Sequence, residues 1–148
     1  MRQLTLSSDI CLAHVQSTPL HVRGLGVTVH AGFPSPAEDI GAKRIDLTAQ
    51  LIKHPQATFL LRARGDSMRE AGIFDGDVLV VDKAVTAKNG HVVIAVIDGE
   101  FVCKQLQIRA GRMKLKAANL CYPDIVPKEG QVVEVWGVVT ASIKTMPV

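Results

Sequence analysis

The dipeptide Asp98-Gly99, which separates two apolar runs, constrains the fold of this chain more than any other feature. Both central positions of a tight hairpin turn need a positive φ, and Asp-Gly is one of the pairs that accept it most readily. The flanking runs, residues 91–97 and 100–108, have the length and the β-branched content of strands. The pattern therefore predicts an antiparallel hairpin in the C-terminal half.

Other strand signals surround this hairpin. A turn at residues 74–76 precedes one of the further runs, and Gly137 predicts a bulge or a bend in the last. A helix is predicted only at residues 45–54, where apolar residues recur at helical spacing before Pro55. The fold class is therefore mainly β. The further predicted strands are residues 58–63, 77–82, 112–117 and 132–144.

The N-terminal stretch differs from the rest of the chain. Residues 1–36 show no sustained period and combine glycine and proline with isolated apolar residues. We interpret them as an extended arm with a short strand at residues 26–30. The predicted organisation is an arm of residues 1–36 followed by a β-rich domain of residues 37–148.

Composition excludes several classes of protein. The chain has 148 residues, 47% hydrophobic and 21% charged, as in ordinary globular domains. Its three cysteines form no C-x-x-C pair, so neither a disulfide framework nor a metal site is expected, and no cofactor is implied. No apolar run approaches the ~20 residues of a membrane helix, and the start does not resemble a secretory signal. We expect a soluble, cytoplasmic protein.

One strand contains a lysine on its apolar face. Side chains alternate between faces with period two, so Lys104 lies in phase with Val102, Leu106 and Ile108, the predicted buried face. The opposite face is predicted to be the more polar one. A buried ammonium is costly unless it is paired or neutralised, and desolvation lowers its pKa towards neutrality. Lys104 is then a candidate base; alternatively, it extends to solvent or pairs with Glu100.

A candidate nucleophile lies in the turn after the strand at residues 58–63. Gly65 permits a tight exit from that strand, and Ser67 follows where a short helical segment can begin. Backbone N–H groups at such a turn can bind an acyl oxygen. The alternative is structural, because Ser67 and Glu70 also match the spacing of a helix capping box.

The chain resembles the LexA/UmuD family of self-cleaving proteins at three separated motifs. Residues 65–68, Gly-Asp-Ser-Met, together with 72–82, resemble the nucleophile segment of that family. Residues 98–104 resemble its lysine hairpin, and the 37-residue spacing from Ser67 to Lys104 agrees. Residues 31–37 resemble the scissile segment of the UmuD branch.

The resemblance implies a fold and a chemistry. The fold would be the β-rich peptidase fold shared by LexA and signal peptidase. Ser67 would attack the carbonyl of Ala31 with Lys104 as general base, and the Ala31–Gly32 bond would break. The main-chain amides of Asp66 and Ser67 would form the oxyanion hole.

The resemblance also implies a biological role. The chain would be a latent peptidase of the SOS DNA-damage response, whose self-cleavage is stimulated by RecA–single-stranded-DNA filaments. The trimmed product would form a homodimer and join a UmuC-like translesion DNA polymerase. Neither membrane association nor direct sequence-specific DNA binding is expected.

Three alternatives remain open at this point. A LexA-like or phage-type regulator is disfavoured because the arm is too short for a helix-turn-helix domain. A signal-peptidase-like processing enzyme would need a membrane anchor. A non-catalytic β module that binds single-stranded nucleic acid would need aromatic residues near the basic residues 109–116, and the sequence does not cluster them there.

Overall fold

The computed structural model describes residues 13–14, 19–25, 29, 31–32 and 42–148. The chain divides into a smaller unit, residues 16–53, and a larger unit, residues 1–15 with 54–148. The division into an arm of residues 1–36 and a domain of residues 37–148 remains a prediction. The strand predicted at residues 26–30 lies, apart from Val29, outside the described residues.

The described part of the chain is mainly β, as the sequence predicts. No helix in it is long and apolar enough to cross a membrane. In chain order the elements are β1 (Ala13–His14), β2 (His21–Leu25), β3 (Ala42–Asp46), α1 (Leu47–Leu51), β4 (Thr58–Arg62), β5 (Val78–Asp82), β6 (Val92–Ile97), β7 (Glu100–Arg109), β8 (Arg112–Lys116) and β9 (Val133–Ile143).

The smaller unit contains an antiparallel pair, β2 with β3, followed directly by α1. Asp46 caps the helix, since its carboxylate accepts a hydrogen bond from the N–H of Ala49 at 3.1 Å. The helix is shorter than the predicted 45–54, because Asp46 and Ile52 at its two ends both adopt an extended backbone.

The larger unit is a seven-stranded antiparallel sheet with the order β1-β4-β5-β9-β6-β7-β8. Every strand predicted from residue 58 onward is present, with ends that differ by at most one residue from the prediction. The β6–β7 hairpin turns at Asp98 and Gly99, whose φ values of 50° and 82° are both positive. The turn prediction is therefore confirmed.

Two apolar cores lie on opposite faces of this sheet, because neighbouring residues of a strand point to opposite sides. In β6, Ile94 belongs to one core, whereas Val93 and Ala95 belong to the other. The first, core A, consists of Leu61, Ala63, Met68, Ile73, Leu79, Val81 and Ile94. The second, core B, consists of Val93, Ala95, Leu106, Leu115 and Val138.

Strand β7 confirms part of the face prediction and corrects the rest. Leu106 is buried in core B and Val102 packs against it, but Ile108 is 42% exposed. The opposite face is not simply polar, because Phe101 and Cys103 pack against core A. Periodicity identifies faces correctly, but it does not show where along a strand a core ends or whether both faces are covered.

Strand β9 carries a bulge beside Gly137, as predicted. The pairing with β6 shifts between Ile94 and Ala95, so that Trp136 is an extra residue on β9. A Cβ atom at Gly137 would lie 2.7 Å from Cγ1 of Val81. Glycine is required there because the backbone of β9 lies against the side chain of Val81 in β5.

Candidate active site

The candidate nucleophile lies in the connection between β4 and β5, residues 64–76, which we call the nucleophile segment. Backbone bonds close its base: Ala63 donates to the carbonyl of Asp77 at 2.8 Å, and Gly76 donates to the carbonyl of Ala63 at 2.9 Å. Gly65 adopts a left-handed φ of 81°, and its N–H donates to Oδ1 of Asp75 at 2.8 Å. The segment is therefore a compact, internally bonded loop.

A buried carboxylate anchors the C-terminal end of this segment. Asp77 accepts hydrogen bonds from Nζ of Lys144 at 2.7 Å, from the N–H of Phe74 at 2.9 Å and from the hydroxyl of Ser142 at 3.1 Å. The Lys144 bond, followed by the Phe74 N–H, holds the pKa of Asp77 below its usual value. The segment is thereby tied to β9 and the residue after it.

The residue that follows Ser67 anchors the middle of the segment. Met68 is buried in core A, and its carbonyl accepts hydrogen bonds from Ala71 and Ile73 at 3.0 and 3.2 Å. A single 3-10 turn, Arg69–Ala71, follows and ends at Gly72, whose φ is 81°. Ser67, next to a buried anchor, is held in one place while its own side chain stays partly exposed.

Ser67 and Lys104 meet in the structure. Nζ of Lys104 donates a hydrogen bond to Oγ of Ser67 at 2.6 Å, across 37 residues of sequence. Lys104 is 9% exposed, and its position in β7 lies opposite the fully buried Val93 of β6. Lys104 therefore bonds to Ser67 and neither extends to solvent nor pairs with Glu100. Ser67 is not a helix cap, because the 3-10 turn that follows has no side-chain cap at its start.

Burial changes the acidity of this pair. Desolvation lowers the pKa of the Lys104 ammonium from its ordinary value near 10.5. The neighbouring Cys103 acts in the opposite direction but does not reverse the shift, and burial raises the pKa of its own thiol to about 11. A lysine whose hydrogen-bonded partner is a neutral hydroxyl can release its proton and then accept one from Ser67.

The predicted oxyanion donors lie on the backbone at the start of the nucleophile segment. The carbonyl of Asp66 accepts hydrogen bonds from Nδ2 of Asn119 at 2.8 Å and from the N–H of Arg69 at 3.2 Å. Within the described residues, neither the N–H of Asp66 nor that of Ser67 donates to another protein group. The role of these two N–H groups as oxyanion donors stays a prediction.

The predicted scissile residues lie elsewhere in the chain. Ala31 and Gly32 form an exposed bend in the smaller unit, whereas Ser67 and Lys104 belong to the larger one. Cleavage of the Ala31–Gly32 bond by Ser67 stays a prediction. No group of three or more His, Cys, Asp and Glu side chains in the described part of the chain is arranged to hold a metal ion.

Sequence reasoning missed two contacts near the site. Asn119 reaches the Asp66 carbonyl from 53 residues away, and Lys144 reaches Asp77 from 67 residues away. Neither residue lies in a motif or at a periodic position that singles it out. His54, the last residue of the predicted helix 45–54, lies beyond the end of α1, and its ring bonds to the buried Asp82 at 2.6 Å.

The fold agrees with comparisons to known proteins. The chain belongs to the Peptidase S24-like family, which matches residues 23–140. Members of this family are self-cleaving serine peptidases. The resemblance to the LexA/UmuD proteins inferred from sequence motifs is thus confirmed.

Individual relatives cover most of the chain. Protein MucA of Escherichia coli is 39% identical over 137 residues, which are 92% of this chain and 90% of that protein. Protein SamA of Salmonella typhimurium is 49% identical over 113 residues, 76% of this chain and 78% of that protein. A LexA repressor of Xylella fastidiosa is 39% identical over 129 residues, 87% of this chain and 59% of the repressor.

Proposed function

We propose that this chain is a latent serine endopeptidase that cleaves itself between Ala31 and Gly32, with Ser67 as nucleophile and Lys104 as general base. The observation that carries the proposal is the 2.6 Å hydrogen bond between Oγ of Ser67 and a buried lysine whose pKa is lowered. A nucleophile and a base within hydrogen-bonding reach are the minimum that such catalysis requires. Membership of a self-cleaving peptidase family supports the same interpretation.

The chemistry follows from the protonation states. Neutral Lys104 removes the proton of Ser67 as Oγ bonds to the carbonyl carbon of Ala31. The N–H groups of Asp66 and Ser67 donate to the oxyanion that forms. The tetrahedral intermediate collapses, the C–N bond to Gly32 breaks, and the leaving amine takes the proton from Lys104.

The second half of the reaction releases the acyl group. Lys104, neutral again, removes a proton from a water molecule that attacks the ester between Ser67 and Ala31. The ester bond breaks, and Oγ of Ser67 regains a proton from Lys104. The products are a fragment of residues 1–31 with a new carboxylate and a fragment of residues 32–148 with a new amino terminus.

The proposed role is that of a UmuD-like subunit of the SOS response in the cytoplasm. RecA–single-stranded-DNA filaments would stimulate cleavage by stabilising the competent position of residues 31–32, which is a shift of population. The fragment of residues 32–148 would form a homodimer and bind a UmuC-like translesion polymerase. The match to 90% of MucA supports a protein of this kind.

A self-cleaving regulator is the second candidate, because a LexA repressor is among the relatives. The two candidates share the dyad and the chemistry, and they differ in what the cleaved fragments bind. Pull-down of a translesion polymerase by the fragment of residues 32–148 would favour the first candidate. Cleavage-dependent release of a specific operator by the full chain would favour the second.

The test of the chemistry is fragment analysis of purified protein. Wild type and Ser67→Ala are incubated at alkaline pH and, separately, with activated RecA near neutral pH, and the fragments are weighed by mass spectrometry. We expect masses for residues 1–31 and 32–148 from wild type and only the intact chain from Ser67→Ala. Lys128→Ala, a change of an exposed lysine outside the site, serves as the control that should cleave normally. Breakage after Ala31 in Ser67→Ala protein would contradict the mechanism.

A further inference from the structure

Asn119 connects the nucleophile segment to a distant part of the chain. It lies in the connection between β8 and β9, and its Nδ2 donates to the carbonyl oxygen of Asp66 at 2.8 Å. Asp66 is the residue immediately before Ser67. The side chain of Asn119 thus bonds to the peptide group that carries the N–H of Ser67.

A second hydrogen bond orients the amide of Asn119. Its Oδ1 accepts from the N–H of Cys121 at 3.0 Å, while its own carbonyl accepts from the N–H of Tyr122 at 3.0 Å. An amide group has a distinct donor end and a distinct acceptor end. Because the acceptor end is bound by Cys121, the donor end faces Asp66; the reversed amide would set acceptor against acceptor there.

The neighbouring residue holds the other end of the same turn. The N–H of Glu70 donates to the carbonyl of Ala118 at 2.7 Å. This bond uses only backbone atoms, so it persists whatever side chain occupies position 119. The two contacts therefore have different roles. The Ala118 bond attaches the nucleophile segment to the β8–β9 connection, and the Asn119 bond acts on the single peptide group between Asp66 and Ser67.

Planarity makes the Asp66 contact informative about Ser67. The described backbone contains no cis peptide bonds. The carbonyl of Asp66 and the N–H of Ser67 therefore lie in one peptide plane and point in opposite directions within it. A hydrogen bond that fixes the direction of this carbonyl also fixes the direction of the N–H. The N–H of Arg69 also donates to this carbonyl, at 3.2 Å. Arg69 belongs to the nucleophile segment itself, so this bond does not fix the Asp66 carbonyl relative to the rest of the domain.

We propose that Asn119 is a positioning residue that aims the N–H of Ser67 at the oxyanion formed during self-cleavage. The inference rests on the proposed function, since it assigns a role within that reaction. Asn119 does not contact the reacting atoms; it restrains the rotation of the peptide plane that does. Oxyanion donors are effective because they are oriented before charge develops, and a freely rotating donor loses much of that advantage.

The experiment compares two asparagines whose side chains bond to the backbone in different places. Asn119→Ala removes the donor to the Asp66 carbonyl together with the acceptor of the Cys121 N–H. Asn89→Ala removes the Oδ1 acceptor of the Ile108 N–H, a bond of 2.7 Å that does not involve the nucleophile segment. Rates of self-cleavage are measured from neutral to alkaline pH. We expect Asn119→Ala to lower the alkaline plateau about 10- to 100-fold, since misaligned groups cost rates of this order, and Asn89→Ala to stay within about twofold of wild type.

The pH midpoint distinguishes positioning from general loosening. Asn119 does not contact Lys104 directly, so the midpoint of the profile should stay where it is in wild type. If the variant instead loosened the site, water would reach Lys104, its pKa would rise and the midpoint would move to higher pH. A lower plateau with an unmoved midpoint therefore supports the proposal, and a shifted midpoint contradicts it.

A second variant guards against a folding defect. Asn119→Asp keeps an acceptor for the N–H of Cys121 but replaces the donor to Asp66 with a negatively charged carboxylate oxygen. Its plateau should fall like that of Asn119→Ala, with a cooperative thermal transition retained. Plateau rates equal to wild type in both variants would overturn the proposal and leave the self-cleavage mechanism intact, and loss of cooperative unfolding in both would assign Asn119 to folding. Absence of cleavage in wild type itself would overturn both.

Discussion

Two lysines flank the nucleophile segment, and their surroundings differ. Lys144 donates to the buried carboxylate of Asp77 at 2.7 Å and lies 4.0 Å from the centre of the Phe74 ring, with 37% of its side chain exposed. Lys104 is 9% exposed, and its bonded partner is the neutral hydroxyl of Ser67.

The comparison shows that the partner decides what a lysine can do. A carboxylate and an aromatic face both stabilise an ammonium, so the Lys144 contact suits a permanent ion pair. The neutral hydroxyl of Ser67 supplies no negative charge to replace the lost hydration of Lys104, and burial lowers the pKa of this lysine. One lysine is suited to hold the segment in place, and the other to exchange a proton with it.

The largest expected effect comes from removing the proton-exchanging lysine. Lys104→Arg keeps a positive charge, but a guanidinium does not lose its proton in the accessible pH range. We expect Lys104→Arg and Lys104→Ala to reduce self-cleavage by about 10³-fold, within the range that general-base catalysis contributes. Fragment yield over time, measured by gel densitometry, checks this. Cleavage of Lys104→Arg at a rate near that of wild type would remove the distinction between the two lysines.

The next effect concerns the ion pair of the other lysine. Asp77→Asn leaves Lys144 without a buried carboxylate, and we expect the free energy of unfolding to fall by about 2 kcal/mol, given the partial exposure of Lys144. Chemical denaturation at pH 7 measures the change.

The same substitution makes a pH-dependent prediction. The pKa of Asp77 is lower in the folded state, so its contribution to stability is complete above the pKa of the unfolded chain and is lost as pH falls through the lowered value. Wild type should therefore lose its advantage over Asp77→Asn on acidification below about pH 4. A difference that stays constant from pH 7 to pH 2 would contradict the ion-pair account.

A smaller and opposite effect is expected when Lys104 is replaced by an apolar residue of similar length. Lys104→Met removes a buried amine whose desolvation disfavours the charged form, so the variant should be more stable than wild type by about 1 kcal/mol at pH 7. The pKa of Lys104 is lower in the folded state than in the unfolded one, so the stability of wild type rises as pH increases from the folded pKa to the unfolded pKa. The stability difference between Lys104→Met and wild type should therefore become smaller at higher pH. Chemical denaturation at pH 7 and pH 10 measures this difference in the free energy of unfolding. A variant less stable than wild type at pH 7 would contradict the claim that burying the Lys104 amine destabilises the fold.

The smallest effect is expected at the neighbouring thiol. The pKa of Cys103 is raised to about 11, so the thiol is neutral near pH 7. Cys103→Ser should cleave within about threefold of wild type, since a neutral group replaces a neutral group of similar size. In alkylation at pH 8, the exposed Cys121 should react faster than Cys103, as read by peptide mapping. A rate loss as large as that of Lys104→Arg would give Cys103 a part in the reaction.

The candidate site was predictable from sequence where its signals are local. The Asp98-Gly99 turn sets the register of β7, and the period of two then places Lys104 on the face of Leu106. The strands of the larger sheet from residue 58 onward follow from the same kind of pattern, whereas β1 was not predicted. These features depend on residues that are close in sequence, and so a single chain is enough to find them.

The contacts that orient the site were not predictable in this way. Asn119 and Asp66 are 53 residues apart, and Lys144 and Asp77 are 67 apart. Each contact joins residues beyond or between strands, where periodicity gives no information. The exposure of Ile108 shows the same limit, because the extent of a core depends on which strands pack beside it.

The most direct test of the proton-exchanging role of Lys104 is the rate of self-cleavage as a function of pH. Wild-type protein is incubated at a series of pH values from about 7 to 10, and the fragments of residues 1–31 and 32–148 are quantified by mass spectrometry. If neutral Lys104 is the base, the rate rises with pH and reaches half its maximum below 10.5, the ordinary pKa of a lysine, because burial lowers that pKa. A rate that stays flat across this range would contradict a lysine base.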